Sequence, residues 1–171
     1  MCVWEEWRMD ILERLVQHDD WGTTRLLEVS QTLTDAQLDQ EFDIGHRSLR
    51  GTLEHIVYNT EFWTSVIIGQ QIAYRPRNDN PVKELIERHK NSYAKFQPLA
   101  RQLHDEQRLE ETFTDHHGGP MTYGGAIVHV ILHSAEHRTE AAHILQRLDA
   151  ADLPDMVEFD HGLWDYVRRG S

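Results

Sequence analysis

The chain has 171 residues, 39% hydrophobic and 27% charged, which suits a single globular domain over residues 1–171 with a real core. Against 29 Asp and Glu there are only 17 Lys and Arg, and the net charge of −12 argues against nucleic acid or an anionic membrane as partner. The single cysteine, Cys2, excludes an internal disulfide and every cysteine-based metal motif.

The start, MCVWEEWRMD, is acidic and lacks the basic-then-apolar order of a signal peptide. No apolar run approaches the ~20 residues of a membrane span, so the expectation is a soluble cytoplasmic protein. A first helix is predicted from about residue 4 to 30, where Trp4, Trp7, Ile11, Leu12, Leu15 and Val16 recur at three- and four-residue steps and Gly22 introduces a kink. Thr34 to Gln37 has the form of a capped turn. Ser48 caps a second long helix, from about Leu49 to Gly69, with Leu49, Leu53, Ile56, Trp63 and Ile67 as its core stripe. His55, Asn59, Phe62 and Val66 lie on one flank of that stripe. Tyr74 to Pro81 is an interhelical loop with two prolines. A third helix starts at Pro81 and passes through Leu85, Tyr93, Phe96 and Leu103, with Pro98 expected to bend it or end it early. Glu110 to Pro120 reads as a turn or small hairpin. The fourth long helix follows from about Thr122, and Leu153 to Arg168 forms a short helix or capping tail. Four amphipathic helices without a strand series make an all-α bundle.

The fourth helix carries the most chemistry. It holds His129, His133 and His137, each four residues after the last, so the imidazoles form one slanting column. With His129 at zero, the apolar residues Ala126, Val130, Ala141, Ile144, Leu145 and Leu148 centre at roughly 100°. His133 and His137 fall inside that arc, pointing to the core. His129 falls at its edge beside Glu136 and Glu140. Two neutral imidazoles so placed suit a divalent cation. The same spacing also fits a surface histidine cluster or a hydrogen-bonded pair in a packed core. A metal needs a third ligand, and His55 is the best placed, on the flank of the second helix. His46, His116 and His117 sit on loops that could also reach the site, whereas His18, His89, His104, His143 and His161 read as peripheral.

SLRGTLEHIVYNTEFW and HVILHSAEHRTEAAHIL together resemble the second-helix and late-helix signatures of the DinB-like family, related to the thiol S-transferases of the DinB/YfiT-like superfamily. The resemblance runs from about Leu12 to Leu148. It implies an up-and-down four-helix bundle with a long crossover, in which His55, His133 and His137 bind one divalent metal, zinc or nickel. Where the family often continues His-Arg-Gly-Gln, this chain has His137-Arg138-Thr139-Glu140, which puts a shared substrate contact at Glu140 in question. The resemblance also implies a homodimer and a metal-dependent enzyme of the thiol S-transferase or hydrolase type, using a small-molecule substrate or a low-molecular-weight thiol. Three histidines leave a metal position open, as catalytic sites do. A non-catalytic metal-binding protein and a plain helical interaction module, with Trp4, Trp7, Trp164 and Tyr166 available for dimerisation, are the competing readings.

Overall fold

The computed structural model describes residues 9–70, 77, 79–148 and 161–170. Trp4 and Trp7, the loop residues 74–76 and the segment 153–160 lie outside them. The described elements are α1 (Ile11–Ser30), the single turn α2 (Asp35–Leu38), α3 (Leu49–Ile67), α4 (Val82–Asp105), strands β1 (Thr112–Thr114) and β2 (Pro120–Thr122), α5 (Tyr123–Arg147) and α6 (His161–Arg169). The fold is all-α, with one two-stranded hairpin.

Each long helix begins where its sequence supplies a cap or a suitable first turn. The Asp10 carboxylate accepts from the Glu13 amide at 2.8 Å, Ser48 from Gly51 at 3.1 Å and Thr122 from Gly125 at 3.0 Å, satisfying amides that the helix itself leaves unpaired. Thr34 and Gln37 form a reciprocal capping box, as their spacing predicts. Pro81 stands at the N-cap of α4, immediately before its first turn.

Two apolar clusters fill the bundle. One joins Leu26 and Leu27 of α1, Leu53 and Ile56 of α3, Leu85 of α4, and Ile144 and Leu145 of α5. The other joins Val16, Trp63, Phe96 and Leu103 with Ala126, Ile127 and Val130. The first thus gathers the end of α1, the starts of α3 and α4, and the end of α5. The second gathers the opposite ends. The order is therefore up, down, down, up: α3 and α4 run side by side in the same direction, and α1 and α5 run the other way. The end of α3 and the start of α4 thus lie at opposite ends of the bundle, as in the long crossover that the resemblance implies.

Pro98 does not end its helix. α4 continues to Asp105, and Pro98 and Ala94 are both exposed, so the carbonyl that loses its partner four residues back faces water. The hairpin pairs Phe113 with Met121 in antiparallel register. Its turn is closed by the Asp115 carboxylate, which accepts from the amides of His117 and Gly119 at 2.9 and 2.8 Å.

Between the two apolar clusters lies a polar belt. Toward α1, Arg138 pairs with the fully buried Asp19 and reaches Thr23 at 3.2 Å, while Tyr93 of α4 donates to the same carboxylate. Burial pushes the Asp19 carboxyl above the ordinary carboxylate range, and Arg138 and Tyr93 pull against it. Gly22 does not interrupt α1. A Cβ there would stand 3.0 Å from Arg138 Nε, so its role is to let the guanidinium pass close to the helix. Toward α3, α5 presents its histidines.

Candidate metal centre

α3 and α5 pack in contact and antiparallel, which sets His55 opposite His133 and His137. The Nε2 atoms of His55 and His133 are 2.7 Å apart. The His137 ring lies 4.6 Å from that of His55 and 4.4 Å from that of His133. The three histidines singled out from the sequence are thus brought together. A fourth joins them: His46, on the loop between α2 and α3, lies 3.9 Å ring to ring from His55 and 5.1 Å from His137. One ligand nitrogen from each of His46, His55 and His137 falls within 4.8 Å of the others.

The imidazoles are not in the core. His55, His133 and His137 are half-buried, at the margin of the apolar arc, while Val130, Ala141 and Ile144 carry the packing. His129 sits further out, its ring 4.9 Å from Trp63 and 5.2 Å from His133.

Burial and neighbouring imidazoles keep protons off His46, His55 and His133. Burial first, then the neighbouring His46, His137 and His133, bring His55 down to about 3. His133 falls to about 4 through burial and the nearby His137, His129 and His46, against an upward pull from Glu140. His46 is lowered by burial and by His137. His55 and His133 are therefore neutral at pH 7, with a lone pair to offer. Glu140 lies 2.7 Å from His137 Nδ1. With Nδ1–H donating to that carboxylate, Nε2 of His137 is left as the free donor atom, an arrangement that orients a metal-binding imidazole. The departure at Glu140 therefore supports the cluster.

The donor set fits a divalent ion that prefers nitrogen. At bond lengths of about 2.0 to 2.1 Å, two nitrogens on a tetrahedral ion stand about 3.3 Å apart. The His55–His133 nitrogens, 2.7 Å apart, stand closer than that, and one nitrogen from each of His46, His55 and His137 lies within 4.8 Å of the others. Glu54, next to His55 in sequence, takes no part: it is fully buried, bound to Arg88 at 2.9 Å and Asn80 at 2.7 Å.

A cleft of about 460 Å³ opens beside the cluster, with His55 and His133 in its wall. Tyr58, Asn59, Phe62 and Trp63 of α3 line it, with His116 and Met121 from the hairpin. Asn59 is 6% exposed, and its Nδ2 has no hydrogen-bond partner among the described residues. The flank His55, Asn59, Phe62 read from the sequence is thus the floor of a cleft.

A family model described as the DinB superfamily matches residues 18–141. The chain belongs to the DinB superfamily. No curated protein and no solved structure matches it. The DinB superfamily is generally metal-binding, and in this DinB protein the described residues hold a three-histidine cluster able to take an ion. None of the described helices is long and apolar enough to cross a membrane.

Two features were not singled out from the sequence. His46 appeared only as one of three loop histidines within reach, because loop geometry has no period to read. Arg138, adjacent to His137, turns about 100° away to clamp α1. The family's His-Arg signature includes it but gives it no partner, and Gly22, which lets it pass, has the sequence signature of a kink.

Proposed function

We propose that this DinB protein is a metal-dependent enzyme that transfers a low-molecular-weight thiol to a small electrophile, with one divalent ion, zinc or nickel, on His55, His133 and His137. The observation that carries the reading is the convergence of imidazoles from two facing helices beside an open, aromatic-walled cleft. When bound, the ion lowers the pKa of a thiol or water in its open position. The chain's own residues do the rest. His55 and His133 hold the ion without competing protons. Glu140 fixes the tautomer of His137. Phe62 and Trp63 shelter the reacting face from water, and the Asn59 amide donates to an acceptor on the electrophile.

Thiol transfer is favoured over hydrolysis because, among the described residues lining the cleft, no carboxylate is free to act as base. Asp115, which lines it, is held by its own turn, whose amide hydrogen bonds keep its carboxyl below the ordinary range. A thiol carries its own acidic proton, which passes to solvent as sulfur bonds to carbon and the leaving group departs. Water starts from a much higher pKa than a thiol, so on the same ion it depends more on a base to take up its proton.

The test loads the metal-free chain with zinc or nickel and follows two reactions: glutathione with chlorodinitrobenzene, and hydrolysis of nitrophenyl acetate. Metal-dependent thioether formation, lost on alanine substitution of His55, His133 or His137 and kept on His129→Ala, is the expected result. Ester cleavage alone would move the assignment to a hydrolase. Stoichiometric metal with neither reaction would favour a non-catalytic binding protein.

A further inference from the structure

We propose that His46 is a fourth, displaceable metal ligand, which closes the site at rest and yields its place when a small ligand enters. This rests on the metal reading of His55, His133 and His137 and adds a donor from outside their two helices. The His46 ring lies 3.9 Å from that of His55 and 5.1 Å from that of His137, and one nitrogen of each falls within 4.8 Å of the others. Nitrogens sharing an ion stand about 3.3 Å apart. Toward His55 and His137, His46 therefore has to close by roughly 1.5 Å, within the reach of a side-chain torsion.

The loop that carries it is fastened on both sides of the cluster. On the α3 side, Arg50, 4% exposed, holds Asp35 and Asp39 at 2.6 Å each. On the α5 side, Arg147 pairs with Asp43 at 2.7 Å and lies 4.9 Å over the Phe42 ring. Between these anchors the chain makes a tight turn. The Phe42 amide donates to the Arg47 carbonyl at 2.6 Å, and Gly45 and Arg47 both take left-handed φ values, +47° and +70°. Gly45 is required there, because a Cβ would collide with the Glu140 carboxylate. The carboxylate that orients His137 thus also sets how closely the His46 loop approaches.

Which ligand yields follows from where each is mounted. His55, His133 and His137 are half-buried on long packed helices, and moving one means moving its helix. His46 is more accessible than those three and sits on a short loop, so releasing it disturbs only that loop. A thiolate or azide then enters by exchange with an imidazole rather than by addition to an empty position.

The test uses the full chain loaded with cobalt(II), whose visible absorption reports coordination, in wild type, His46→Ala and His46→Phe. Both variants should bind cobalt at least about tenfold more weakly than wild type, as losing a metal contact commonly costs. Azide should bind cobalt-loaded His46→Ala at least about tenfold more tightly than wild type, having no imidazole to displace. If cobalt and azide affinities are the same in all three proteins, His46 is not a ligand, and the three-histidine site stands without it. If His46→Phe matches wild type in both affinities, His46 is a cover only, and the proposal is overturned. If a His55, His133 and His137 triple alanine variant still binds one cobalt, the underlying site is wrong and the proposal falls with it.

Discussion

His55 and His133 stand where a proton is unwelcome, at about 3 and about 4 against an ordinary 6.5. The unfolded chain therefore binds more protons than the folded one between about pH 6.5 and those values, and stability falls as pH drops through that window. The metal-free protein should thus unfold at lower urea at pH 5 than at pH 7.5. His55→Ala should flatten that dependence, and an unchanged slope in the variant would place the titrating group elsewhere. Asp19 and Arg138 are a harder case, since each is buried and each depends on the other. Asp19→Ala leaves a guanidinium buried without its carboxylate, at a cost of about 3 to 5 kcal/mol. Tyr93→Phe removes one hydrogen bond and should cost about 1 to 2 kcal/mol. Equal losses in urea unfolding would mean that charge is not what the pair contributes. Residue by residue, legibility followed periodicity. His133 and His137 were readable because i, i+4 spacing on a helix fixes their relation, and His55 because it flanked an apolar stripe. His46 and the Asp19–Arg138 pair were not, because their partners lie 9 and 119 positions away with no repeat linking them.

At the scale of elements, the four long helices and the hairpin were legible from apolar spacing and from the Gly-Gly-Pro turn. Their directions were not. Apolar spacing carries no direction; the resemblance implies a long crossover, and the clustering of Leu85 with Leu53 and of Phe96 with Trp63 shows that α4 runs parallel to α3. The pairing of Arg88 with both Glu54 and Glu61 fits the same alignment, bracketing the two helices along one seam. Pro98 marks a second limit of local reading. Proline in a helix interior costs about 3 kcal/mol through a lost amide and a ring clash. Here the cost is tolerated because Phe96, Ala100 and Leu103 are buried on either side, while Pro98 itself faces out. Pro98→Ala should therefore stabilise the protein. The gain should be about 1 to 2 kcal/mol once the greater freedom of the unfolded variant is subtracted. A lower urea midpoint in the variant would show that the proline ring packs to some purpose.

For the molecule as a whole, an ion on these histidines acts as a cross-link between α3 and α5 at mid-height. Arg138 already ties α5 to α1 at that level on its other side. α5 is thus the helix on which both halves of the polar belt converge, and metal should stabilise the bundle as a unit. Such an ion would bind the folded arrangement, since the unfolded chain scatters histidines 78 positions apart. Stabilisation then follows RT ln(1 + [M]/Kd), about 2.7 kcal/mol at a hundredfold excess over Kd. In a domain of this length each kcal/mol moves the thermal midpoint by about 2 to 4 °C. Chelation of the loaded protein should therefore lower the midpoint by about 5 to 10 °C at neutral pH. The shift should shrink as pH falls through the histidine range, because protons and metal compete for the same lone pairs. His129→Ala should keep the full shift, and His133→Ala/His137→Ala should lose it. A chelator shift of equal size in the double variant would mean that the ion is held elsewhere, and that the convergence of imidazoles between α3 and α5 serves packing alone.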